Sequence, residues 1–167
     1  VGKPKTQILA QRLLDINPRL NIHIKQLYMD EVQTEILLDE AKYDYVIDAI
    51  DTISPKIALL TGCLKRKIKV ISSMGAGGRI DPTRIAYADI SETYHCALAK
   101  AVRKRLKDAG ISKGIKVVFS SEQPDRNAII RTDEERNKKS TVGTISSLPA
   151  IFGCYLAAYV IRKLSQK

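Results

Sequence analysis

Two short runs in this sequence carry the residue types that handle phosphate and metal. Asp48-Ala49-Ile50-Asp51 closes one apolar run, and Ser73-Met74-Gly75-Ala76-Gly77-Gly78 closes the next. In an open parallel sheet, ligands gather beyond the carboxyl ends of the strands, where both runs fall. Asp51, just past its strand, is placed to hold Mg²⁺, which favours one or two carboxylates together with phosphate oxygens. It reads also as an acid at a helix N-terminus, stabilised there by the dipole alone. Asp48 lies three residues back and is free to point elsewhere. The glycine run matches neither GxGxxG nor the P-loop, which needs Lys followed by Ser or Thr. It is either a phosphate turn, with Gly75 and Gly77 approaching a nucleotide, or a turn that needs positive φ. Lys5, in Gly2-Lys3-Pro4-Lys5 at a helix start, is a point charge able to reach phosphates, or a solvated lysine.

Nucleophiles are few. His95 adjoins Cys96, but activation requires adjacency in space rather than in sequence. His23 falls within an expected strand, and Ser140 and Thr141 follow the basic run Arg136 to Lys139. Cys63, Cys96 and Cys154 form no CxxC pair and leave an odd count for disulfides. With no secretory pattern in the first residues, a reducing cytoplasm is the expected compartment, and all three read as buried small hydrophobes.

The elements that must position these residues follow from periodicity. Ile8, Leu9, Leu13, Leu14 and Ile16 recur with helical spacing up to Asn17-Pro18, and Leu20 to Ile24 alternates as a strand. Helices are expected over about 31–41 and 54–65, the second begun by Ser54-Pro55. Tyr45 to Ile50 and Ile68 to Met74 read as strands buried on both faces. Arg84 to Ile90 and Val117 to Ser120 read as further strands, with helices over 97–106 and 147–164. The fold class is therefore α/β, a Rossmann-like, doubly wound, mostly parallel sheet. Opening on a helix implies that an initial βα unit is absent, so residues 1–167 are read as one domain truncated at its N-terminus. Residues 122–143 are polar and patternless, a long flexible loop.

The 167 residues suffice for one core; 44% hydrophobic and 28% charged residues are those of a soluble globular chain. No stretch is long and apolar enough to span a membrane. The net charge of +10 is uneven. Residues 1–99 hold 13 basic and 12 acidic side chains, and residues 100–167 hold 15 and 6, which marks a basic C-terminal extension. A cationic half favours a polyanion such as nucleic acid. The helix with Lys100, Arg103, Lys104, Arg105 and Lys107, with the loop Lys138 and Lys139, would provide its phosphate contacts.

Gly2-Lys3-Pro4-Lys5, Asp15-Ile16-Asn17-Pro18 and Asp44 to Asp51, in this order and spacing, resemble the ubiquitin-activating-enzyme-like (ThiF-type) superfamily. Gly75-Ala76-Gly77-Gly78-Arg79-Ile80-Asp81-Pro82-Thr83 is more specific and is similar to the branch that dehydrates threonylcarbamoyladenosine in tRNA. The resemblance covers nearly the whole chain. It implies ATP and Mg²⁺, with Lys5 as the phosphate-contacting lysine and Asp51 as the magnesium-associated aspartate. It further implies activation of a carboxylate as an acyl-adenylate, tRNA as substrate, a homodimer, and sulfur-transfer proteins among the partners. The family's glycine-rich turn, ribose-binding acid and arginine would precede Val1, so this chain alone is expected to bind ATP weakly. The paired CxxC zinc sites of the sulfur-carrier adenylyltransferases are absent, as in the dehydratase branch. Three alternatives remain: an adenylyltransferase acting on a carrier protein's C-terminal glycine, a nicotinamide oxidoreductase, and a non-catalytic RNA-binding module.

Overall fold

The apolar runs near 46, 71 and 118 become three neighbouring parallel strands. In a computed structural model, which describes residues 2–131 and 140–166, β1 (Val46–Asp48), β2 (Val70–Ser73) and β4 (Lys116–Ser120) lie side by side. β3 (Ile85–Asp89) pairs antiparallel with β4, giving the order β1-β2-β4-β3. The register sets Asp48 beside Ser72 and Ser73 beside Val118, so the parallel strands end at one common edge. The expected α/β, mostly parallel sheet is therefore present.

Helices cover both faces. α3 (Ile53–Lys65) and α4 (Ala97–Asp108) bury Leu60, Cys63, Val102 and Leu106 with Val117 and Phe119. Val118, between those two, points the other way and packs with Ile71 against Leu148, Phe152 and Leu156 of α5 (Ser147–Ser165). The alternation along β4 is the period of two that a strand imposes. α2 (Glu31–Glu40), capped by Asp30 on the Gln33 N–H, packs on α3. There Arg66 bonds Asp39 at 2.7 Å and Glu35 at 2.7 Å.

Four expectations change. Leu20 to Ile24 forms no ladder, because an alternating run becomes a strand only where a neighbouring strand accepts its hydrogen bonds. β1 is an edge strand rather than one buried on both faces, and Ile47 is 45% exposed. Within 122–143, where no periodicity is legible, β5 (Ile129–Arg131) pairs antiparallel with β6 (Ser140–Val142). The cationic C-terminal part is no separate extension, since β4 is central to the sheet and α5 covers one face of it. α1 (Lys5–Ile16) buries only Ala10 and leaves Ile8, Leu9, Leu13 and Ile16 exposed.

The cysteines divide by environment. Burial pushes the Cys63 thiol up to about 11, with the Asp48 charge adding and Arg66 opposing. Cys96 is buried, whereas Cys154 lies exposed on α5. A thiolate-specific disulfide reagent should therefore label one cysteine rapidly in the native chain, and Cys154→Ser should remove that phase. Rapid labelling of two or three thiols would contradict this partition.

Candidate functional site

At the carboxyl end of β1 the chain ties itself into a buried knot. Asp48 and Lys56 are both fully buried, with Nζ 2.7 Å from Asp48 Oδ2. Ser72 Oγ donates to the same carboxylate at 2.6 Å, and the Ile50 N–H donates to Oδ1 at 2.9 Å. Lys56 Nζ also donates to the Ile50 carbonyl at 2.8 Å. Both polar groups of Ile50 are thereby fixed, and with them the turn that presents Asp51 ahead of α3. Burial pushes the Lys56 ammonium below the ordinary lysine range, while the charges of Asp48, Asp51 and Cys96 hold it up in part. Asp48 thus points inward and Asp51 outward, exposed at the strand edge. Sequence reading missed Lys56. The signal for it was a single charge inside the apolar stretch Ile53 to Leu64.

The glycine turn leaves β2 at the same edge and closes around Arg79, which is only 4% exposed. Arg79 Nη1 donates to the carbonyls of Gly75 at 2.7 Å and Gly77 at 3.1 Å. Nε reaches the Glu122 carbonyl at 3.1 Å and Nη2 the His95 carbonyl at 2.6 Å. The Glu122 carboxylate meanwhile accepts the N–H groups of Ile80 and Asp81. Glycine is required here for two reasons. A Cβ at Gly77 would lie 2.9 Å from Val142, and Gly78 holds φ at +70° with its N–H on the Gly143 carbonyl. Gly75 has ordinary room, its Cβ position 3.6 Å from Cys96 Sγ.

Asp51, Gly75 and Gly77 therefore meet at one edge, and Lys5 is exposed on the first turn of α1. His95 and Cys96 form no catalytic pair. His95 Nδ1 lies 3.0 Å from the Ser121 carbonyl oxygen, which only accepts, and Cys96 Sγ accepts the Ala99 N–H at the start of α4. His23 is exposed on an irregular segment. Ser140 and Thr141 sit in β6. Among the described residues no three His, Cys, Asp or Glu side chains converge. A magnesium ion would here be held by Asp51 with phosphate oxygens, the mode that ion favours over an all-protein cage.

The cationic helix is only partly free. Arg103 is half-buried and donates to the Thr93 carbonyl at 2.8 Å and to the Thr93 hydroxyl. Lys104 and Lys107 are exposed and line a shallow pocket with Lys100, Ser91 and Ser112. Lys138 and Lys139 lie outside the described residues.

The ThiF family model matches residues 1–167. The chain belongs to the ThiF family. It is 39% identical over 171 residues to the tRNA threonylcarbamoyladenosine dehydratase of Bacillus subtilis, covering 98% of this chain and 67% of that protein. It is 32% identical to tRNA threonylcarbamoyladenosine dehydratase 2 of Saccharomyces cerevisiae, covering 100% of this chain and 41% of that one. The crystal structure of the Escherichia coli tRNA N6-threonylcarbamoyladenosine dehydratase in complex with ATP superposes with a TM-score of 0.87 at 31% identity. That match covers 99% of this chain and 65% of the other. The same enzyme in complex with AMP gives a TM-score of 0.85 at 29% identity. This chain thus spans about two thirds of its bacterial relatives.

Proposed function

We propose that the complete protein dehydrates threonylcarbamoyladenosine in tRNA at the expense of ATP. The carboxylate attacks the α-phosphate of ATP and displaces pyrophosphate. The carbamoyl nitrogen then attacks the activated acyl carbon, loses its proton and expels AMP. The nucleoside closes a ring and loses one water.

The carrying observation is the fixed edge at which Asp51 and the Gly75–Gly78 turn meet, in a fold shared with an ATP-bound dehydratase. In this reading Asp51 would hold Mg²⁺, which would supply positive charge to the phosphates, and the low bulk of Gly75 lets the nucleotide approach the turn. Charge that builds on departing pyrophosphate is neutralised there. Lys5 supplies a second cation to the phosphates, and Lys104 and Lys107 meet tRNA phosphates. A cytoplasmic homodimer, served by sulfur-transfer proteins, belongs to the same proposal. Among the described residues no helix is long and apolar enough to cross a membrane.

The test is incubation of the complete protein with ATP, Mg²⁺ and tRNA carrying threonylcarbamoyladenosine, following nucleoside mass. A loss of about 18 daltons that depends on ATP is expected, and Asp51→Asn should slow it about 10²- to 10³-fold. Pyrophosphate exchange stimulated by a small carrier protein, with no change in tRNA, would overturn the dehydratase reading.

A further inference from the structure

The loop between the 3₁₀ turn Ile90–Glu92 and α4 carries an aromatic pair that the proposal above leaves without a role. Tyr94 is 51% exposed, its ring 5.1 Å from that of His95 and 5.5 Å from that of buried Phe119, near-perpendicular to both. His95 is exposed too, and it holds φ at 51°, a left-handed conformation that a side chain rarely adopts.

Three elements hold this loop in place. Arg79, from the end of the glycine turn, bonds the His95 carbonyl at 2.6 Å. The chain just past β4 bonds His95 Nδ1 through the Ser121 carbonyl at 3.0 Å. Arg103, from α4, clasps Thr93, the residue before Tyr94. His95 is thus bolted to the carboxyl edge where Asp51 and Gly75 lie, and Thr93 to α4. Tyr94 rests one part of its ring on Phe119 and offers the rest to solvent, held rigid, which is the kind of amphipathic surface enriched where partners bind.

Charge identifies its class. α4 begins at Ala97, and its exposed Lys100, Lys104 and Lys107 continue from the aromatic pair along successive turns. Aromatic rings beside a row of cations are what unstacked RNA bases and their phosphates require, since bases stack on rings and phosphates pair with lysines.

We propose that Tyr94 is the stacking face for one purine base splayed from an RNA loop, with His95 at right angles closing the edge of that base and Lys104 and Lys107 meeting phosphates further along the strand. The platform would deliver that nucleotide to the edge held by Arg79. The inference rests on the tRNA reading above, which makes the base an adenine.

The experiment uses an RNA stem-loop with one 2-aminopurine in its loop, followed by fluorescence and by affinity at several salt concentrations. Tyr94→Leu keeps an apolar contact on Phe119 but removes the aromatic face. It should weaken binding roughly 5- to 100-fold and abolish quenching of 2-aminopurine, with the salt slope unchanged. Tyr94→Phe should bind and quench as the unmutated chain does. Reversing Lys104 and Lys107 to glutamate should instead lower both affinity and salt slope. If the unmutated chain binds the loop and Tyr94→Leu retains affinity and quenching, the stacking inference falls and the tRNA reading stands. If the unmutated complete protein shows no preference for the loop RNA over duplex RNA, the tRNA reading falls and the stacking inference with it.

Discussion

Lys56→Met is expected to destabilise the fold by about 3–5 kcal/mol, the cost of leaving one member of a buried ion pair alone. Asp48 would then sit fully buried, with Ser72 Oγ and the Ile50 N–H as donors but no compensating charge. The Ile50 carbonyl loses its donor at the same time. Asp48→Asn should cost less, because an amide oxygen still accepts from Ser72 or Ile50 and the lysine keeps the carbonyl. Changing both residues to apolar ones of similar volume should cost less than the sum of the single changes, since the pair's desolvation is removed with its attraction. Urea unfolding midpoints of the four proteins measure this directly. A Lys56→Met chain within about 1 kcal/mol of the unmutated one would mean that water or a rotated side chain replaces the ammonium, contrary to the packing seen here.

The consequence for function lies one residue further on. Lys56 does not reach the open edge, yet it fixes Ile50, and Ile50 precedes Asp51. A milder change such as Lys56→Arg should therefore reduce turnover of the complete protein more than it reduces stability. The carboxylate would remain present but displaced, and small misplacements in a site cost large factors in rate. Comparison of kcat with the unfolding midpoint separates the two effects.

Most elements were legible because periodicity reports burial. Residues 97–108 carry clear helical apolar spacing and bury Ala99, Val102 and Leu106, and the short runs that became β2 and β4 are buried nearly throughout. Leu20 to Ile24 failed for the converse reason. Alternation records which faces a segment can offer, whereas a strand also needs a partner for its backbone, and periodicity does not encode partners. The same gap explains β1, whose run looks central while its position is an edge. In the site, Asp51 and the glycine turn were placed by the rule for parallel sheets, without reference to any contact. Lys56 and Arg79 escaped because a buried charge is recognised by its partners. Those partners lie 8 residues away for Lys56, and up to 43 residues away for Arg79. Arg103 was legible as a cation but not as the clasp on Thr93.

Arg79→Met carries the second large expectation, a loss of about 3 kcal/mol or more together with loosening of the whole carboxyl edge. The guanidinium is surrounded by carbonyl oxygens from Gly75, Gly77, His95 and Glu122, drawn from three separate stretches of chain. Methionine fills similar volume and offers no donor, so four acceptors lose a partner at once. Lysine restores the charge but not the planar fork, and its ammonium has only three donors on one nitrogen. Arg79→Lys should therefore recover less than half of the lost stability. Hydrogen exchange supplies the sharper readout. The amides of Gly78, Ile80 and Asp81 are bonded to Gly143 and Glu122, across the interface that Arg79 closes. In Arg79→Met these amides should exchange at least about tenfold faster, while those of β2 and β4 in the sheet centre hardly change. Uniform acceleration across the sheet would show that Arg79 supports the core as a whole. Acceleration confined to 75–81, 95 and 121–125 would show that one buried cation sets the shape of the edge where Asp51, the glycine turn and the Tyr94 loop converge.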